Sequence, residues 1–231
     1  MHLSVGITLY GTRTLEGETV TMATGSSSVT QTVEVVDTEE VNEQTESIVR
    51  NFMYQRLTLD MQDQSSDLNI STPRLPEFQN FTADPMSATS RVGRRLAQIG
   101  DQINVQYEVE FRQMIQTLNI TPSTAYQAFA GVARRLFVKG INWGRIAALM
   151  MFGYRIAKDI MTSVGDFLNK IITHIVKFII SEQISNWIAQ QGGWTAALQF
   201  RLENPSVNGV VAIAGISALV VLTAYVWTKY R

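Results

Sequence analysis

Two charged side chains stand among apolar residues, and their types suit recognition better than bond-making. Arg145 follows Asn142-Trp143-Gly144 and precedes the apolar run Ile146-Ala147-Ala148-Leu149-Met150-Met151-Phe152. A guanidinium there is costly to bury unpaired, so the sequence places it at a groove where a carboxylate can meet it. Asp101 follows Gly100 in a stretch where Val92, Leu96, Ile99 and Ile103 recur at intervals of four, three and four, one stripe of a helix. The chemistry these residues offer is a charge-assisted hydrogen bond framed by apolar anchors. Little else is on offer. The absence of cysteine removes disulfides, thiolate metal sites and cysteine nucleophiles. The two histidines, His2 and His174, lie far apart and near no nucleophile pattern. With no paired acid and base and no ligand cluster, the sequence argues against an enzyme and calls for no cofactor and no metal.

The elements that position these residues follow from periodicity and caps. Asn142 is a good N-cap for a helix over 142–162 that is hydrophobic almost all round, and such a helix lies inside a bundle or a membrane. A helix over 88–107 carries the Val92 stripe beside a ridge of small residues, Gly93, Ala97 and Gly100. Glycine inside a helix costs about 1 kcal/mol relative to alanine, and close approach of another helix is the natural offset. Two readings stand: an ordinary core-facing helix, or a helical ligand for a groove with four anchors and one carboxylate. Glutamate at Gly100 is expected to spare the resting monomer, since a helix interior favours it over glycine; glutamate at Leu96 is expected to disturb a core residue.

Asp37 or Thr38 caps a helix over 38–60 with Ile48, Val49, Phe52, Met53 and Leu57 on one face. The prolines at 73, 76 and 85 make 62–86 a flexible loop. Residues 108–118 continue as a short helix. Thr121-Pro122 starts another with Ala125, Phe129, Val132, Ala133, Leu136 and Phe137 inward, and Gly140 ends it. Past Gly165, a helix over 166–182 shows a polar stripe of Asp166, Lys170, His174, Lys177 and Ser181, with His174 as a surface residue. Gly192-Gly193 permits a sharp turn that Trp187 and Trp194 clamp, and Pro205 closes the globular part.

Net charge is −1, unevenly spread: residues 1–86 hold 4 Lys/Arg against 13 Asp/Glu, and 87–231 hold 15 against 7. The basic half suits an anionic membrane surface, but without a dense cluster it does not point to nucleic acid. The Thr-, Ser- and Gly-rich arm 1–36 is expected to be disordered, with no secretory signal. From Gly209 to Trp227 run 19 residues without a charge. As a helix they span about 28 Å, the thickness of a bilayer's hydrocarbon core. With Tyr225, Trp227, Tyr230, Lys229 and Arg231 at its end, the segment 208–228 is expected to be a tail-anchor transmembrane helix; the alternative is a C-terminal helix buried in an apolar groove.

Taken together, these stretches resemble the B-cell lymphoma-2 (Bcl) family of apoptosis regulators. Asn142-Trp143-Gly144-Arg145 is similar to the family's first homology motif. The stretch from Trp187 through Gly192, Gly193 and Trp194 is similar to the second, and Val92 to Asp101 to the third. Ile99-Gly100-Asp101-Gln102-Ile103-Asn104, Phe152-Gly153-Tyr154-Arg155 and Trp187-Ile188-Ala189-Gln190 resemble its pro-apoptotic, Bak-like branch. The match covers about 87–231; the fourth homology motif is not convincing in the first helix. The resemblance implies an all-α bundle of eight to nine helices over 37–203 around the central helix, with a C-terminal transmembrane helix. It implies a groove at Asn142, Trp143, Gly144 and Arg145, and a third-motif helix that, on activation, docks in a partner's groove with Asp101 on Arg145. The implied partners are the chain itself as homodimer and higher oligomers, activator helices of the Bim/Bid kind, anti-apoptotic Bcl-family proteins and mitochondrial outer-membrane lipids. Two other readings remain: an anti-apoptotic guardian of the same fold, and an unrelated membrane-inserting bundle sharing only the hydrophobic hairpin 142–182.

Overall fold

A computed structural model describes residues 36–64, 84–118, 120–121, 123–161 and 167–201, with four short stretches between 13 and 29. Seven α-helices and one short 3-10 helix make up the described residues beyond the arm. Each begins or bends where local chemistry dictates. Helix α1 (Thr38–Gln64) opens with the Asp37 carboxylate accepting from the Glu39 amide at 3.2 Å, and Glu39 and Glu40 occupy its first turn. Helix α2 (Ala88–Gln106) starts at Ser87, whose hydroxyl accepts from the Ser90 amide at 3.2 Å. Helix α3 (Glu108–Leu118) follows the single turn residue Tyr107. Helix α5 (Trp143–Met161) is capped as its sequence predicts: the Asn142 side chain accepts from the Arg145 amide at 2.8 Å.

Helix α5 is the axis. Every residue from Ile146 to Tyr154 is buried, and α1, α2, α3, α4 (Ala125–Leu136) and α6 (Phe167–Ser181) all pack on it. Phe129 of α4 stacks on Phe152 at 6.0 Å and meets Phe178 of α6 edge-on at 5.9 Å. Helix α7 (Ile184–Gln190) and the 3-10 helix (Trp194–Leu198) close the end of the bundle where α5 begins. Trp194 is fully buried, and its indole N–H reaches the Val41 carbonyl and the Thr45 hydroxyl of α1, both at 3.2 Å.

The small-residue ridge of α2 faces α1 and α5. A Cβ added at Gly93 would lie 2.5 Å from the Asn51 Cβ and 3.0 Å from the Phe52 amide nitrogen. At Gly100 it would lie 3.2 Å from the Met151 methyl and 3.3 Å from the Phe52 ring. At Gly93 the α1 backbone therefore approaches too closely for any side chain, while at Gly100 the Phe52 and Met151 side chains leave only a tight fit. Glutamate at Gly100 would enter this packed interior, so the expectation that it spares the resting fold is corrected: helix propensity is overruled by burial.

Other expectations shift. Helix α1 runs to Gln64, into the proposed 62–86 loop; residues 65–83 of that loop lie outside the described residues. Helix α4 begins at Ala125 and not at Thr121, because the Thr121 and Thr124 hydroxyls bond each other at 2.9 Å within a separate turn; Pro122 lies outside the described residues. The arm, read as disordered from composition, carries two short antiparallel ladders, Arg13–Thr14 with Gly17–Glu18 and Met22–Thr24 with Ser27–Val29. Threonine and valine there favour extended pairing, which overall polarity hides. The count of eight to nine helices becomes seven plus the 3-10 helix among the described residues. The tail 208–228, with Gly209 and Trp227, lies outside them, as do Gly165, Asp166 and Pro205. Among the described residues, no helix is long and apolar enough to cross a membrane.

Candidate recognition site

The third-motif stripe is buried in full. Val92, Leu96, Ile99 and Ile103 all lie in the core, with Gly93 and Gly100 beside them, so the four residues expected to anchor a ligand helix serve as packing. Its polar residues are also engaged. The Ser90 hydroxyl donates to the Asn51 side chain at 2.9 Å, and Arg155 of α5 donates to the Asn104 side-chain oxygen at 2.7 Å.

Asp101 has a partner within the chain. Its carboxylate lies 2.8 Å from one guanidinium nitrogen of Arg56, whose other terminal nitrogen is 2.5 Å from Asp60. The Arg56 side chain is only 5% exposed, while that of Asp101 is 45% exposed. Asp60 in turn accepts from the Tyr154 hydroxyl at 2.9 Å and from the Lys158 ammonium. The Arg56 guanidinium also lies 5.6 Å from the centre of the Tyr154 ring. Burial pushes the Asp60 carboxyl up, but hydrogen bonds from Lys158 and Tyr154 and the charges of Lys158 and Arg56 outweigh it and hold the group below its ordinary value. Burial first, and then the Asp60 charge, raise the Tyr154 phenol, so it remains a donor. One charged cluster thus ties α1, α2 and α5 together at the Asp101 end of α2.

Arg56, Asp60 and Lys158 are residues that sequence reasoning missed, while Asn104 and Tyr154 enter it only as marks of resemblance. The signal is present, since Val41, Thr45, Ile48, Phe52 and Arg56 recur at helical spacing and all five are buried. A charge on an apolar stripe needs a buried partner.

The first motif is organised differently. Asn142 is exposed, Trp143 is buried, and Gly144 and Arg145 are half-buried. The Arg145 guanidinium donates to the Gly140 carbonyl at 2.5 Å, and no carboxylate pairs with it among the described residues. The Phe200 ring stands 3.8 Å from where a Cβ on Gly144 would be, and the Phe200 carbonyl accepts from Arg95 of α2 at 2.5 Å. The second motif supports this end. Gly192 and Gly193 take φ of +92° and +78°, a turn that side-chain-bearing residues adopt at a cost. Trp143 then meets Trp187 at 5.2 Å and Trp194 at 5.9 Å. The structure thus brings the first and second motifs together and keeps Asp101 with Arg56. A cavity of about 460 Å³ beside the first turn of α2 is lined by Arg91, Gln191, Thr195 and Leu198, and Arg145 is not part of its lining.

His174, expected at the surface, is half-buried. Its ring lies 5.0 Å from that of Tyr126, and its Nδ1 is buried without a partner among the described residues. Burial, then Lys177 and Lys170, push it down from its ordinary value.

The sequence matches the family model for apoptosis regulator proteins of the Bcl-2 family over residues 96–194, a span that takes in Asp101, Arg145 and Trp187. It is 38% identical over 182 residues to human (Homo sapiens) Bcl-2 homologous antagonist/killer, covering 78% of this chain and 83% of that protein. It is 29% identical over 144 residues to apoptosis regulator Bcl-2 of Gallus gallus, covering 58% and 61%. The fold is similar to that of Trichoplax adhaerens trBcl-2L2 in a crystal structure with trBak BH3 bound. There the TM-score is 0.54 at 24% identity, over 68% of this chain and 97% of that one.

Proposed function

Because the chain belongs to the Bcl-2 family of apoptosis regulators, we propose that it is a Bak-like pro-apoptotic effector that permeabilises the mitochondrial outer membrane. In the resting bundle, α2 is held by Arg56 and by the close contact at Gly93. Activation by a helix of the Bim/Bid kind frees α2, which docks by its Val92, Leu96, Ile99 and Ile103 face into the groove of a second copy. Asp101 then exchanges Arg56 for the other copy's Arg145. Dimers assemble into larger oligomers in a membrane where the segment 208–228 anchors the chain, with the bulk facing the cytosol. Anti-apoptotic members of the family would oppose this by capturing the same helix.

The observation that carries the reading is a mismatch of partners. The third motif holds a carboxylate paired within its own chain, and the first motif holds a guanidinium that no carboxylate of the described residues meets. Exchange between copies supplies the missing partner, and trBcl-2L2, similar in fold, is bound to trBak BH3 in its crystal structure. The guardian reading draws on the likeness to apoptosis regulator Bcl-2, which is weaker and covers less of the chain than that to the antagonist/killer. Release of dye from cardiolipin-containing vesicles, with and without an activator helix peptide, tests the proposal. An effector releases dye on activation; a guardian binds the peptide and releases none.

A further inference from the structure

The corner between α4 and α5 combines features that the exchange mechanism does not use. Val138 is 79% exposed, and Lys139 and Gly140 beside it are exposed as well. Ile180, 41% exposed, lies on the last turn of α6. The two belong to one end of the bundle: Phe137 packs 6.2 Å from Phe178, and Arg134 pairs with Glu182 at 2.9 Å. Through residues 134–144 and 178–191 the cations are Arg134, Arg135 and Lys139, and Glu182 is the sole carboxylate. Helix α1 also packs against α6 and α7, and its first turn carries Glu39 and Glu40, which meet this end of the bundle where Val41 and Thr45 hold Trp194. An exposed valine in a turn gains nothing in water, and a lysine next to it has no counter-charge among the described residues.

The last described residues also lie near this corner. Phe200 packs against Gly144, two residues past Asn142, and Arg201 is exposed. Eight residue steps separate Arg201 from Gly209, where the uncharged run begins. Fully extended, they reach at most about 28 Å. A bilayer that received the run 209–227 would therefore lie within reach of this end of the bundle.

We propose that the α4–α5 corner is a second membrane contact, in which Val138 and Ile180 enter the interface of an anionic phospholipid bilayer and Lys139 meets its headgroups. The proposal rests on the tail-anchor reading above, and it assigns the resting bundle an orientation, corner down. Cations next to an anionic leaflet add attraction, and a small apolar wedge adds burial, which together do what neither does alone.

The test uses the full chain, which has no cysteine of its own. An environment-sensitive dye is attached to Val138→Cys, to Val105→Cys at the exposed far end of α2, or to Ala218→Cys within the uncharged run. Each is read without activator on phosphatidylcholine vesicles, with and without cardiolipin. The expected result is an apolar environment for the label at 218 on both membranes. The label at 138 becomes apolar only with cardiolipin, and the label at 105 stays in water. One cation near an anionic surface is worth about fivefold in a contact equilibrium, so Lys139→Ala should reduce the docked-to-undocked ratio at 138 by about that factor. A label at 138 that stays in water while that at 218 is buried overturns the corner and leaves the anchor standing. Equal burial at 138 on both vesicles overturns the anionic assignment. Labels at 138 and 218 both in water overturn the anchor reading and the corner with it.

Discussion

The two ends of the recognition machinery are built with opposite economies. The third-motif helix is engaged along its inner face: its stripe is buried, its glycines admit α1, and its carboxylate has Arg56. The first motif at the start of α5 is held by a cap, a tryptophan cluster and a backbone carbonyl, and its guanidinium faces no carboxylate among the described residues. On the proposed exchange, the helix that leaves is the one bound tightly, and the surface that receives it is electrostatically incomplete at rest. The barrier to activation would then lie in freeing α2, and part of the driving force in Arg145.

The largest effect should come from breaking the tight side at its centre. Gly100→Glu would place a carboxylate in a tight, apolar site against Met151 and Phe52. A loss above about 4 kcal/mol is expected, seen as a collapse of the thermal transition before any test of activity.

Arg56→Ala comes next. It leaves Asp101 half in water and Asp60 still bonded to Tyr154 and Lys158, so the cost falls below that of stranding a fully buried pair, about 1–3 kcal/mol. Urea unfolding should report that loss, and dye release should need less activator than the wild type. Acid acts in the same direction. Asp60 is depressed below its ordinary value of 3.8, so its contribution is fully present above about that pH and is lost as pH falls through the folded value. Stability measured from pH 7 downward should thus be flat with respect to Asp60 until about pH 4, and then decline.

Arg145→Ala should barely move stability, within about 0.5 kcal/mol, because its guanidinium makes one hydrogen bond to a backbone carbonyl near the surface. Affinity for an activator helix should still fall about ten- to hundredfold by calorimetry. A stability loss as large as that of Arg56→Ala would erase the contrast between the two regions.

Much of this organisation is legible in the residues themselves. The unbroken apolar run from Ile146 to Phe152 permits only an enclosed helix, and Asn142 sits where the cap is observed. The spacing of Gly93, Ala97 and Gly100 announces a close neighbour, but spacing names no neighbour, and a foreign helix and the chain's own α1 read alike. The Arg56–Asp60–Asp101 cluster is legible only in part: the stripe marks Arg56 as buried, but Asp101 lies 45 positions away, and periodicity informs only within one element. The position of Arg145 at the start of the central helix follows from its neighbours in sequence. Its resting contact, a carbonyl three residues before the helix, has no signature in side-chain types.

The central claim is that Asp101 leaves Arg56 for Arg145 of another copy. Its most direct test is a double-mutant cycle on self-association of the activated, vesicle-bound chain, read by energy transfer between labelled copies. Asp101→Asn, Arg145→Gln and the double variant are compared with the wild type, each after activation so that the cost of leaving Arg56 is removed equally. If the two groups meet across copies, the double variant should be little weaker than either single one, with a coupling of about 1–3 kcal/mol. Strict additivity, with the Asp101→Asn effect unchanged whether or not Arg145 is present, would contradict the exchange.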